Sequence, residues 1–326
     1  MQALRIHEHG GPEVLRLDAV PDPVPAAGAC LVRIRACALN HLDLFVRQGI
    51  PGVAIGLPRI LGSDIAGERA DSGRRVIVAP GWGCGRCHAC LDGRDNECKK
   101  YEVLGYQRDG GYCEQILVEE RNILAAPEGL GFVEAASMPL VFLTAWNMLV
   151  RKAEIRPGQK ILVWAASSGV GIAAVQIAKL FGCQVVATAG SAEKMALARA
   201  LGADEVFDHY GTAPLPRNFD VVVEHTGQAT WDRSLRALAP GGALVTCGAT
   251  TGHEATIDLR FLFSRQLRIM GSYMGRRGDL DVVVQLIDAG KLRPIVDRVF
   301  PLADGASAHA YLEAKRQFGK VVLQVA

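Results

Sequence analysis

Four cysteines stand close together, Cys84, Cys87, Cys90 and Cys98, in the pattern C-x2-C-x2-C-x7-C. Four thiolates are enough to close a tetrahedral shell around one zinc ion per chain and to leave no position for water. A closed shell of that kind holds structure and does no chemistry of its own. Gly83, Gly85 and Gly93 lie among the four and let the loop wrap tightly. Four free thiols and an iron–sulfur cluster are the alternatives, although the spacing does not match the ferredoxin runs. The remaining cysteines (Cys30, Cys37, Cys113, Cys183 and Cys247) are scattered among apolar neighbours and read as small buried hydrophobes. That distribution fits a reducing compartment.

A second constellation is the turn Ala165-Ala166-Ser167-Ser168-Gly169-Val170-Gly171, which follows an apolar run and opens a helical pattern. Glycine lets backbone come close to a pyrophosphate, and a helix N-terminus favours its charge. The turn departs from G-x-G-x-x-G, because Ala166 stands at the first glycine position. A tight structural turn is the alternative, but the strand–turn–helix setting favours a dinucleotide held by Ser168, Gly169, Val170 and Gly171. An NAD site usually has Asp or Glu at the end of the next strand, where this chain has Ala189. With no carboxylate to repel a 2′-phosphate, Ser191 can donate a hydrogen bond and Lys194 a charge. NADP(H) is therefore favoured over NAD(H). The alternative is that Ser191 only caps a helix and Lys194 is a solvated surface residue.

The elements that must position these groups fall into two blocks. Residues 1–125 carry short apolar runs, such as Cys30–Cys37 and Arg75–Ala79, separated by Gly/Pro turns, and read as β-rich. Beyond about residue 155, strands alternate with helices. Strands are expected at Lys160–Ala166, Gln184–Thr188, Glu205–Asp208, Asp220–Glu224, Ala243–Cys247 and Leu267–Ser272. Helices are expected at Val170–Phe181 and Ala192–Leu201. This alternation predicts an α/β chain with a doubly wound parallel sheet. The tail holds a helix at Asp281–Ala289 and a strand at Lys320–Val325.

The chain has 326 residues, a two-domain length, and a net charge of only +2. So balanced a charge points away from nucleic acid and membrane surfaces, and the partner expected is a small-molecule substrate. The uncharged stretch Ala135–Val150 contains Pro139 and is too short to span a bilayer comfortably. The N-terminal MQALRIHEHGGPEVL lacks a basic-then-apolar pattern, so a cytoplasmic protein is expected.

Together these features resemble the medium-chain dehydrogenase/reductase superfamily over nearly the whole chain. Further markers are Gly10-Gly11-Pro12-Glu13-Val14-Leu15, Ala38-Leu39-Asn40-His41-Leu42-Asp43 and Phe318-Gly319-Lys320-Val321-Val322. Asn40, Asp43, Arg47 and Gly49, with Pro139-Leu140 and Thr144-Ala145, resemble the quinone oxidoreductase branch. The resemblance implies a GroES-like β-rich catalytic domain (1–125, with the zinc lobe at 84–98) and a Rossmann domain (126–275). It also implies a segment (276–326) that returns to the first domain, a substrate cleft between the domains, and a homodimer. Zinc alcohol dehydrogenases of this superfamily hold a catalytic zinc with Cys, His and Cys near an acidic residue. The corresponding positions here are Asn40, Ser63 and Leu140, with Asp64 as the acid, and Leu42 replaces the Ser or Thr of the proton relay. No catalytic zinc is expected from such a set. The resemblance further implies that Thr144, Gly248, Ser272 and Lys320 contact the cofactor, and Asn40 is a candidate donor to the reacting oxygen.

The function expected is NADPH-dependent reduction of a quinone or an α,β-unsaturated carbonyl. A zinc-type NAD(P)-dependent alcohol dehydrogenase and a non-enzymatic cofactor-binding redox sensor are the alternatives.

Overall fold

Val221, Val222 and Val223 are completely buried, as are Ile161, Leu162 and Val163. Continuous apolar runs of this kind suit strands covered by helices on both faces. They form the centre of a six-stranded sheet in the computed structural model, which describes residues 1–211 and 214–325. The strand order is Glu205–Asp208, Gln184–Ala189, Lys160–Val163, Phe219–Glu224, Leu238–Thr246, Arg268–Gly271, and every pairing is parallel. In sequence terms this is 3-2-1-4-5-6, the Rossmann order. Helices Gly169–Leu180, Ala192–Ala200 and Gln228–Ala237 join the strands. A core of Leu162, Trp164, Val186, Phe219, Val222 and Leu244 packs within this unit. Each such side chain contributes about 1.5–3 kcal/mol by leaving water. The Trp164 indole is satisfied by Ser234 Oγ at 2.7 Å.

The chain divides into two compact units, Val141–Gly275 on the one hand and Met1–Leu140 with the segment returning from Arg276 on the other. The boundary differs from the sequence expectation of 125/126. Residues 126–140 belong to the first unit because helix Phe132–Ala136 packs on strands Ala29–Ala38 and Asp64–Arg69.

The main sheet of the first unit runs Ile123–Ala125, Arg75–Val78, Asp64–Arg69, Ala29–Ala38, Lys320–Gln324, Val296–Pro301, and Gln115–Glu119 pairs with the first half of Ala29–Ala38. Its pairings are antiparallel except that between Val296–Pro301 and Lys320–Gln324. The long strand Ala29–Ala38 starts with alternating burial and ends fully buried. The returning tail thus lies beside the strand that leads to Asn40. No helix among the described residues is long and apolar enough to cross a membrane.

Candidate functional site

Strand register explains the main polar cluster of the first unit. Ala38 pairs with Asp64 on one side and with Val322 on the other. The Leu39 amide also donates to the Val321 carbonyl at 2.8 Å. Asn40 lies just past the end of its strand and Lys320 at the start of its own, so both reach Asp64. Lys320 Nζ donates to Asn40 Oδ1 at 2.6 Å and to Asp64 Oδ2 at 2.9 Å. Asn40 Nδ2 donates to the same Asp64 oxygen at 2.9 Å, and the Leu140 amide donates to Asp64 Oδ1 at 2.7 Å. Asn40, Asp64 and Lys320 are 7%, 0% and 5% exposed. The ammonium offsets the desolvation of Asp64, which no side chain short of a cation would do.

Asp43 is the second buried carboxylate. It sits in the first turn of helix His41–Gln48 and completes a capping box with Asn40. Its oxygens accept the Asn40 amide at 2.7 Å and the Gly62 amide at 3.0 Å. Burial raises its pKa to about 6 against these backbone bonds and the charge of Lys320. Ser63 Oγ is engaged with the Leu104 carbonyl at 2.7 Å.

The four cysteines meet as their spacing predicts, with their Sγ atoms all within 4.8 Å of one another. Cys87 and Cys90 are 3.6 Å apart, close to the roughly 3.8 Å edge that a tetrahedron with 2.3 Å zinc–sulfur bonds requires. Gly85 and Gly93 take positive φ, +73° and +68°. A Cβ on Gly83 would lie 2.6 Å from Cys90 Sγ. The Cys84 and Lys100 amides point at Cys98 Sγ, at 3.4 and 3.3 Å. The amides of Arg86 and Cys87 lower the Cys84 thiol to about 6, whereas burial pushes the Cys90 thiol up to about 12. Four thiolates this close together would repel one another without a cation. A bound zinc removes that conflict and holds all four as thiolates.

In the second unit, Ser168 caps helix Gly169–Leu180 by accepting the Gly171 amide at 2.9 Å. The turn is tied to the second strand through Ala165 N to Thr188 Oγ1, 3.0 Å, and Ala166 N to Thr188 O, 2.8 Å. A Cβ on Gly171 would sit 2.4 Å from the Ala165 carbonyl, so only glycine fits. Ala189, fully buried, ends the second strand. Ser191 Oγ accepts the Lys194 amide at 3.2 Å, so the capping role is real, and the bond leaves the hydroxyl proton unspent.

Sequence reasoning missed His209 and Tyr210. Their rings pack on each other and over Gly190, where a Cβ would lie 2.9 Å from Tyr210 and 3.1 Å from His209. No local sequence signal marks them, because the contact arises from the pairing of Ala189 with Asp208 in adjacent strands, which brings the residues after each strand together. Thr144 is buried in helix Pro139–Trp146, which continues as a π-helical turn, Asn147–Lys152. From that turn Asn147 donates to Ser272 Oγ at 2.8 Å. Gly248 lies against His225, whose carbonyl would be 3.0 Å from a Cβ. The buried Glu224 accepts from Gly227 N at 3.0 Å and Ser234 Oγ at 2.6 Å, which ties the end of its strand to helix Gln228–Ala237.

Two family profiles match the chain, the alcohol dehydrogenase GroES-like domain over residues 26–128 and the zinc-binding dehydrogenase over 169–289. A quinone oxidoreductase of Pseudomonas aeruginosa is 33% identical across 97% of both chains. A crystal structure of an NAD-dependent alcohol dehydrogenase superposes with a TM-score of 0.96 at 43% identity over the whole of both chains. The cobalt- and zinc-bound thermostable alcohol dehydrogenase of Pyrobaculum aerophilum gives a TM-score of 0.90 at 36% identity over 99% of each. With a Rossmann sheet, a GroES-like unit and relatives of both kinds along its full length, this chain belongs to the medium-chain dehydrogenase/reductase superfamily and is an NAD(P)-dependent oxidoreductase.

Proposed function

We propose that the protein is an NADPH-dependent reductase of quinones or α,β-unsaturated carbonyls, with a structural zinc at Cys84, Cys87, Cys90 and Cys98 and no catalytic zinc. The observation that carries this reading is the chemistry at the positions the family reserves for zinc ligands. Asn40 has its amide engaged with Asp64 and Lys320, Ser63 is engaged with a carbonyl, and Leu140 has an alkyl side chain. Beside Asp64 stands an ammonium, which repels a divalent cation. Without a Lewis acid, an alcohol lacks the usual means of lowering its hydroxyl pKa. Reduction of an activated C=C or a quinone needs less help, because the developing oxyanion is stabilised by hydrogen-bond donors.

Reduced nicotinamide, when bound, supplies the hydride. The chain does the rest. Ser168, Gly169, Val170 and Gly171 offer the mouth of a helix to the pyrophosphate. Ala189 leaves the adenosine end without a carboxylate, and Ser191 and Lys194, with His209 beside Gly190, are the donors for a 2′-phosphate. Thr144, Gly248 and Ser272 contact the nicotinamide half, and Asn40 orients the group that meets the substrate oxygen.

The cofactor assignment is tested at one position. Ala189→Asp places a charge beside the 2′-phosphate and is expected to weaken NADPH binding by about 1–3 kcal/mol, while NADH is affected less or gains. Wild type binding NADH more tightly than NADPH would sink the assignment. The substrate class is tested by NADPH oxidation with a panel of quinones, enones and simple alcohols or aldehydes. The second reading, an NAD-dependent alcohol dehydrogenase, is favoured by the 43% identical relative of that name. It predicts rapid ethanol oxidation with NAD and two zinc ions per chain, where the proposed function predicts one.

A further inference from the structure

Lys320 is buried on a sheet strand and is paired with only part of what an ammonium can offer. Its Nζ carries three protons, two of which are spent on Asn40 Oδ1 and Asp64 Oδ2. The third has no acceptor among the described residues. Asn40 and Asp64 hold the nitrogen from two sides, and Asp64 is itself fixed by the Leu140 amide. The main chain around it is also constrained. Gly319 takes φ +112° and passes so close to Ile295 that a Cβ would lie 2.5 Å from its carbonyl oxygen, and the Lys320 amide donates to that same oxygen at 2.9 Å. A flexible surface lysine has none of this support. The cluster also lies at Asn40, the position that the family pattern gives to a ligand of the catalytic metal.

We propose that Lys320 is the general acid of the reaction, taking over with a proton the task a metal performs by polarisation. This rests on the reductase reading above. In the step, the substrate carbon gains a hydride from the reduced nicotinamide and the C=C or C=O π pair moves toward the substrate oxygen. Lys320 Nζ–H then breaks as the new O–H bond forms, and the neutral amine recovers its proton from water. The enol or quinol is the product at the oxygen, and an enol goes on to the ketone in solution. Asp64 and Asn40 are positioning residues that hold the ammonium and keep it charged. The charged or titratable groups facing it are Asp64, Asp43 and Cys37.

The test separates charge from proton donation. Lys320→Arg keeps the cation, but a guanidinium does not release its proton at working pH. It is expected to retain NADPH affinity within about three-fold by fluorescence titration and to lower kcat about 100-fold, in the range of lost general-acid catalysis. Lys320→Met strands Asp64, so Lys320→Met with Asp64→Asn is the control for folding, and it is expected to be equally slow. The panel is quinones, enones and aldehydes. If only aldehydes are reduced, the quinone and enone reading falls, while the same Lys320 variants still read proton delivery to a carbonyl oxygen. A Lys320→Arg protein within three-fold of wild-type kcat overturns the proposal. So does a Lys320→Met/Asp64→Asn protein that raises the KM for NADPH at unchanged kcat, which would make Lys320 a cofactor contact only. A wild type that reduces none of the three classes overturns both readings.

Discussion

The cysteine lobe and the cluster at Asn40 gather their polar groups in opposite ways. The cysteine lobe keeps four soft donors within one short loop. The cluster at Asn40 has an amide, a carboxylate and an ammonium, drawn from strands far apart in sequence. In the lobe, repulsion between thiolates is relieved only by a cation from outside. In the cluster, the chain carries its own cation. The two clusters therefore balance buried charge differently, one with a cation from outside the chain and one with a cation from within it.

The comparison is broken most easily at the lobe. Cys90→Ser leaves three thiolates, and zinc content by atomic absorption is expected to fall from about one per chain to near zero. Metal binding there is folding free energy, so the thermal midpoint should drop and chelators should do the same to wild type. NADPH affinity should change little. A folded Cys90→Ser protein that has lost hydride transfer would remove the structural assignment.

The next effect is in the cluster. Lys320→Met leaves Asp64 buried and unpaired, a loss of about 3–5 kcal/mol. Adding Asp64→Asn should recover most of it, because neither charge then remains. Urea midpoints of the two variants and of wild type check this. If Lys320→Met alone is no less stable than the double variant, Asp64 is not relying on the ammonium.

The same contrast explains what was legible in the sequence. The lobe could be read because its four cysteines lie within one loop and their spacing is their geometry. The central strands Lys160–Val163, Gln184–Ala189 and Phe219–Glu224 were legible for a related reason, since each carries a continuous apolar run and is followed by a helix. Lys320 could be found in the strand Lys320–Gln324, yet its partners could not. It meets Asp64 across 256 residues, through a register that pairs Ala38 with both Asp64 and Val322. Nothing local encodes that meeting, and the same holds for His209 and Tyr210 over Gly190. The boundary at 140 rather than 125 has a similar cause. The boundary at 125 comes from the family resemblance, whereas helix Phe132–Ala136, which lies beyond it, buries Ala135 and Ala136 and packs on the first unit's sheet.

The smallest effect sharpens the comparison through pH. Asp43 has a pKa near 6 in the folded chain against about 3.9 unfolded. The folded form therefore holds an extra proton between about pH 4 and 6, and this group's contribution to stability falls as pH rises through that window. One group alters stability by at most about 1.4 kcal/mol per pH unit. The lobe has the opposite sign, since protonating its thiolates releases the metal and weakens it as pH falls. His309 works with the lobe. Burial and the neighbouring Arg47 lower it to about 3, so it loses stability as pH falls from about 6.5 toward 3. Global melting curves mix these signs, so the site itself must be observed. The 13C resonance of the Asp43 carboxyl should titrate with a midpoint near 6 in the folded protein, and that midpoint should rise in Lys320→Met/Asp64→Asn if the ammonium outweighs Asp64 at Asp43. A midpoint near 4 in wild type would mean that the Asn40 and Gly62 amides and the Lys320 charge together offset burial at Asp43.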